Sequence, residues 1–154
     1  MATELDILKE LQSVFNRRFM DKCRELLPPG ETLTFSIPNF STISMNELAR
    51  EHQEFGIIYP KDTNVEIPVG INSDAIIRET YSIITVIMNN KNIVTQLSIM
   101  RSAMIVLLLK ERWDFLHHCN RKIDAVRPVY FGIDDKDSDR YLLSGVELGI
   151  TRGI

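Results

Sequence analysis

The sequence predicts an α+β domain: a mixed, mostly antiparallel sheet packed on a long helix, with an amphipathic helix at the N-terminus. Three observations predict it. Leu8, Leu11, Phe15, Phe19 and Cys23 recur at helical spacing near the start. Residues 77–88 alternate as a strand does and lead into a long apolar stretch over residues 93–116. Two further strand-like segments, residues 125–133 and 141–151, flank an acidic turn close to the last residue.

Taken in order, Thr3 followed by Asp6 is a weak form of the helix-capping pattern, and Leu26 continues the apolar stripe that Leu8 begins. Pro28-Pro29-Gly30 stops this helix, because proline lacks an N–H and restricts the residue before it. Leu33, Phe35 and Ile37 alternate with Thr32, Thr34 and Ser36, which predicts a half-buried strand ended by Pro38-Asn39. Ser44 and Glu47 form a capping box with Ile43 and Leu48 as its hydrophobic staple, predicting a short helix over residues 45–53.

Residues 56–59 and 65–69 are short apolar runs separated by the turn-rich Pro60-Lys61-Asp62-Thr63-Asn64, so a loose hairpin or arm is expected there. Pro68 would keep the second run near a sheet edge. In residues 77–88, Tyr81, Ile83 and Ile87 share one face while Ile84, Val86 and Met88 share the other with Thr80 and Ser82. Both faces turn apolar toward the end, which predicts a central strand covered on two sides. Asn89-Asn90-Lys91-Asn92 supplies helix caps, and Ile93, Leu97, Met100, Met104, Leu107 and Leu108 form the stripe of the long helix. Gly145 and Gly149 fall within a strand pattern, where they signal a bulge or a close approach. With no repeat, linker or low-complexity tract, residues 1–154 read as one domain, residues 40–74 forming an arm or extended loop region.

The 154 residues carry a formal net charge of −3, with 44% hydrophobic and 25% charged residues. A folded domain of ordinary size is expected, and the lack of a basic surplus argues against tight tracking of nucleic-acid phosphates. The first residues show no basic region leading into an apolar core, and the apolar run 103–109 is far shorter than the roughly 20 residues of a membrane span. Cys23 and Cys119 are expected as reduced thiols, and the chain as a soluble intracellular protein.

The chemical constellations resolve toward structure. Asp135, Asp137 and Asp139 imitate the first ligand positions of a calcium loop, but Arg140 stands where glycine is needed and Val146 where the bidentate glutamate is needed. His117, His118 and Cys119, with Asp114 upstream, are metal-ligand types, yet adjacent residues diverge and no second pair exists to complete a tetrahedron. His52 beside Glu51 and Glu54 lacks a nucleophile motif and reads as a polar helix surface. No glycine-rich phosphate loop, nucleophile elbow or zinc-protease signature occurs. Arg17, Arg18, Lys22 and Arg24 interleave with Glu10, Asp21 and Glu25, as on a solvated helix face. The expectation is a protein that is not an enzyme and holds no metal or cofactor.

In the order of these elements the chain resembles the tail-terminator (tail-completion) and neck proteins of tailed bacteriophages. The matching segments are residues 5–27, 75–88, 93–116 and the final hairpin, including Tyr141-Leu142-Leu143-Ser144-Gly145-Val146-Glu147-Leu148. The resemblance implies a virion structural protein assembled in the host cytoplasm, forming a homo-oligomeric ring, expected as a hexamer. That ring would cap the tail tube and join it to the head or neck. Implied partners are copies of itself, the tail tube protein and neck or connector proteins, with DNA only passing through the channel and no membrane contact. An acidic channel would suit passing DNA, because it avoids trapping phosphates. The candidate assembly contacts are Arg78, Glu79, Asp134, Asp135, Asp137, Asp139 and Arg140. Two other readings stay open: a different head-completion or neck component, and a cone-type small-molecule-binding domain whose curved sheet wraps a helix around a pocket.

Overall fold

The computed structural model describes residues 3–42, 54–67, 75–88, 93–117, 121–131 and 141–153. The elements are α1 (Glu4–Leu26), β1 (Phe40–Ser41), β2 (Phe55–Glu66), β3 (Ile76–Met88), α2 (Ile93–Lys110), α3 (Asp114–His117), β4 (Arg121–Phe131) and β5 (Tyr141–Gly153). The five strands form one sheet in the order β1-β2-β3-β5-β4. Among the described residues only the β1–β2 pair is parallel, so the sheet is mixed and mostly antiparallel.

Thr3 caps α1 reciprocally: its side chain accepts from the Asp6 N–H while the Asp6 carboxylate accepts from the Thr3 N–H at 2.9 Å. Those hydrogen bonds from Thr3 hold the Asp6 carboxyl below its usual pKa. The buried stripe of α1 includes Ile7, Leu11, Phe15, Phe19 and Cys23, and Gly30 takes a positive φ of 86° just after the two prolines. On the same side of the sheet, α2 contributes Met100, Ala103, Met104, Leu107 and Leu108 to the core.

β3 lies between β2 and β5 and is buried from Tyr81 through Ile87, as a central strand should be. Its helix-facing side presents Tyr81, Ile83 and Ile87, the first two in register with Leu148 and Val146 of β5. On the opposite side Val86 packs with Phe55 and Ile57 of β2, flanked by Tyr59 and Leu143.

Three expected elements differ. Residues 33–37 keep the anticipated alternation, with Phe35 and Ile37 buried, but form no strand. The groups that would enter a ladder bond to side chains instead: Gln96 accepts from the Thr34 N–H at 2.8 Å and donates to the Thr32 carbonyl, and Glu54 accepts from the Ser36 N–H. The runs expected as two pieces of a loose hairpin are one continuous strand, β2, whose partner is β3. A register shift between Pro60 and Asp62 absorbs the proline. The long helix ends at Lys110 rather than Leu116, because Trp113 folds back, 1% exposed, and its indole N–H donates to the Leu108 carbonyl at 3.1 Å. Glu10 then caps α3 from α1, accepting from the N–H groups of Asp114 and Phe115. The anticipated short helix at 45–53, Pro68 and the caps at Asn89–Asn92 lie outside the described residues.

Both expected glycine signals have a cause. A Cβ on Gly145 would stand 2.1 Å from the Ile83 carbonyl oxygen, so two strands approach there closely. A Cβ on Gly149 would meet the Asp124 carboxylate at 2.4 Å, beside the register shift between Ile123 and Ala125.

The sheet ends in two unlike edges. β1 covers β2 only at Gly56 and Ile57, and among the described residues nothing pairs with the outer edge of β2 from Ile58 to Glu66. β4 forms the other edge.

Candidate functional site

Charge is concentrated where β2, β3, β5 and β4 lie side by side, away from the helix layer's apolar centre. Because successive strand residues point to opposite faces, Arg78 and Glu79 divide between them. Arg78 lies on the face away from the helices, donating from Nε to Asp124 Oδ2 at 2.7 Å and from Nη1 to Glu66 Oε1 at 3.0 Å. The hydrogen bond with Asp124 leads the causes that raise the Arg78 pKa further. Asp124 reaches it across Gly149 because the β4 bulge turns that side chain over the sheet.

On the same face Glu147 of β5 accepts from Lys61 of β2 and from Arg127 of β4. The Lys61 hydrogen bond is the largest of the causes that hold the Glu147 carboxyl below its usual pKa. Its side chain is 7% exposed, whereas Arg127 is 71% exposed, so a buried carboxylate anchors a solvent-facing cation.

Glu79 points the other way. It is buried and accepts from the Tyr81 hydroxyl at 3.3 Å, with the Nε atoms of Arg152 and Arg121 at 3.5 and 3.9 Å. Burial, then the neighbouring Glu79 charge, pushes the Tyr81 hydroxyl pKa up. Two guanidinium groups share this one carboxylate. Among the described residues, nothing forms a hydrogen bond with the buried Nε and Nη1 of Arg121 or Nε of Arg152.

A cavity of about 450 Å³ opens at the strand ends, lined by Ile76, Arg78, Arg121, Lys122, Asp124, Thr151 and Arg152. A neighbouring depression of about 370 Å³ is lined in part by Arg78, Asp124, Arg127 and Glu147. The space between sheet and helices, where a cone-type domain would keep its ligand, is occupied by Phe15, Phe19, Phe40, Ile83, Met104 and Leu107. The rings of Phe15 and Phe19 each meet Phe40 edge-on at 5.1 Å.

Of the expected contact residues, the structure places Arg78 at the surface in two ion pairs and Glu79 inside the domain, where it holds other strands of its own chain. Asp134, Asp135, Asp137, Asp139 and Arg140 lie outside the described residues, as do His52, His118 and Cys119. His117 is exposed at the end of α3. Sequence reasoning missed Asp124, Glu147, Arg121 and Arg152. For Glu147 and Arg152 the visible signal was a lone charge within an otherwise apolar strand; Asp124 and Arg121 gave none, since exposed strand residues look the same.

Among the described residues, no group of three His, Cys, Asp or Glu side chains is placed to hold a metal ion, and no helix is long and apolar enough to cross a membrane. No protein-family model matches the sequence, and a search of the curated proteins finds no match.

Proposed function

We propose that this chain is a non-enzymatic virion structural protein that assembles into a ring capping the tail tube and joining it to the head or neck. The observation that carries the reading is the pair of unlike open edges on one sheet. Over Asp62–Glu66 the edge of β2, unpaired among the described residues, contains no proline, bears Asp62, Glu66 and the exposed Val65, and is followed by the exposed Ile67. The β4 edge presents Lys122 and Arg127. Two different edges favour head-to-tail contact between copies, and such heterologous contacts close into rings when the rotation permits. Pro128 and the bulge at Asp124 limit strand addition along β4, which confines where a neighbour can pair. The order of helix, β2–β3 hairpin, long helix and terminal strands is what points to the tail-end ring in particular.

Native mass measurement and light scattering on the purified chain, alone and with tail tube protein, test this. The expected result is a closed oligomer, formed alone or on the tube. A chain that stays monomeric under both conditions overturns the reading.

A further inference from the structure

We infer that copies of this chain join edge to edge, residues 63–65 of β2 in one adding antiparallel to residues 121–123 of β4 in the next. This contact rests on the ring proposed above and gives it an interface. Neighbouring residues of a strand turn their backbone groups to opposite edges. Gly56 turns its N–H outward to the Asn39 carbonyl, so Ile57 and Tyr59 face Ile84 and Ser82 of β3, and Pro60 falls outward with no N–H to offer. Every second residue of β3 continues that pattern. Thr80, Arg78 and Ile76 therefore face Asp62, Asn64 and Glu66, which leaves Thr63 and Val65 facing out. The same alternation across β5 turns Lys122, Ala125 and Arg127 inward and leaves Arg121, Ile123, Val126 and Pro128 outward. A proline thus interrupts each edge, and β1 covers β2 on the near side of Pro60. The stretch of β2 left unpaired among the described residues lies beyond that proline, level with the start of β4.

Register across the sheet makes the two stretches fit. Val65, Ile77, Arg152 and Arg121 stand in one row, and Thr63, Glu79, Ile150 and Ile123 in the next. β2 and β4 run in opposite directions, because the β2–β3, β3–β5 and β5–β4 pairings are all antiparallel. A second copy set beside the first in the same orientation therefore brings its β2 antiparallel to β4. Arg121 and Ile123 then meet Val65 and Thr63 of the next copy as hydrogen-bonded pairs, and Lys122 stands opposite Asn64 with Asp62 on the diagonal. The charges left over on that face agree. Glu147 takes Lys61 and Arg127, while Glu66 and Asp124 take Arg78. Asp62 on one edge and Lys122 on the other keep no ion pair among the described residues, and the contact brings them together. It also covers Val65, which is 51% exposed in the single chain.

Disulfide cross-linking is the test, in a Cys119→Ser background with Cys23 buried. Asn64 and Lys122 are exposed, so cysteines there leave the fold intact. Within one chain β3 and β5 separate them by about 14 Å, beyond the roughly 7 Å that a disulfide spans. Opposed across the contact, their Cα atoms come within about 4.5 Å. Mild oxidation of the chain carrying both Asn64→Cys and Lys122→Cys, alone and with tail tube protein, should therefore give covalent multimers. An equal mixture of the two single variants should give mixed dimers only. Val65→Pro removes an outward N–H that no described strand of its own chain uses, and should raise the concentration for half-assembly at least about tenfold. If the parent assembles but the double variant gives no multimers, the contact is overturned and the ring stands. Asn64→Cys homodimers as abundant as mixed dimers, or unchanged assembly in Val65→Pro, have the same meaning. A parent that stays monomeric under both conditions overturns contact and ring together.

Discussion

The carboxylate of Glu10 accepts hydrogen bonds from the backbone N–H groups of Asp114 and Phe115, the first of them 104 positions away along the chain. One side chain on α1 thereby supplies the cap that α3 does not make for itself, and it fixes the turn that ends the long helix. Glu10→Ala is expected to lower stability by about 2 kcal/mol, the scale of a hydrogen bond to a charged acceptor, and Glu10→Gln by less. Urea unfolding of the three proteins at neutral pH checks the ranking.

Gly145 offers a sharper steric case. Its missing Cβ is replaced by the Ile83 carbonyl of the central strand, and backbone cannot swing aside as a side chain can. Gly145→Ala is expected to cost about 3 kcal/mol, at the upper end of overpacking, and to shift β5 against β3. Thermal unfolding gives the cost, and amide exchange at Ile83 and Ile84 should report faster opening.

Glu147 makes stability depend on acid. Its folded pKa is depressed, chiefly by Lys61, so its contribution is fully present above the unfolded carboxylate value near ~4.3 and fades as pH falls through the lower folded value. Glu147→Gln should therefore be less stable than the parent by about 2 kcal/mol from pH 7 down to pH 5. The gap should narrow below about pH 4. Denaturant midpoints across that range would expose a constant gap, which contradicts the account.

Burial raises the thiol of Cys23 to about 12, leaving almost no thiolate near neutrality. In the native protein at pH 8, iodoacetamide should leave Cys23 unmodified, while the unfolded chain labels it fully. Peptide-level mass spectrometry distinguishes this site from Cys119.

How far the fold could be read beforehand depended on whether the decisive partner was local. The alternation around Tyr81, Ile83 and Ile87 reports directly on burial, so β3 and its central place were legible. So was α1, because its cap pairs Thr3 with Asp6, three residues apart. Residues 33–37 misled because alternation reports burial and not a ladder; Gln96, 62 positions beyond Thr34, takes the strand's place. Pro60 looked like a turn, yet the register shift places it opposite Tyr81 and lets Lys61 reach Glu147. The helix overran its true end since nothing in residues 111–116 announces that Trp113 bonds back to Leu108. Of the candidate contacts, the Arg78 and Glu79 charges were visible but not which face each would take. That is set by register, and the deciding partners Asp124, Arg121 and Arg152 come from strands late in the chain.

The sheet order has a consequence in time. β3 pairs with β5 along its whole length, Ile76 opposite Gly153 and Met88 opposite Tyr141, so the central strand's second neighbour is synthesised after every other strand of the described sheet. At about 5–20 residues per second, translation leaves Tyr81–Met88 for several seconds with one side unprotected. That stretch is β-branched and apolar, the kind that pairs promiscuously with other nascent chains. Yield during expression should therefore hinge on chaperone supply and on growth temperature, and chains interrupted before Tyr141 should collect in the insoluble fraction.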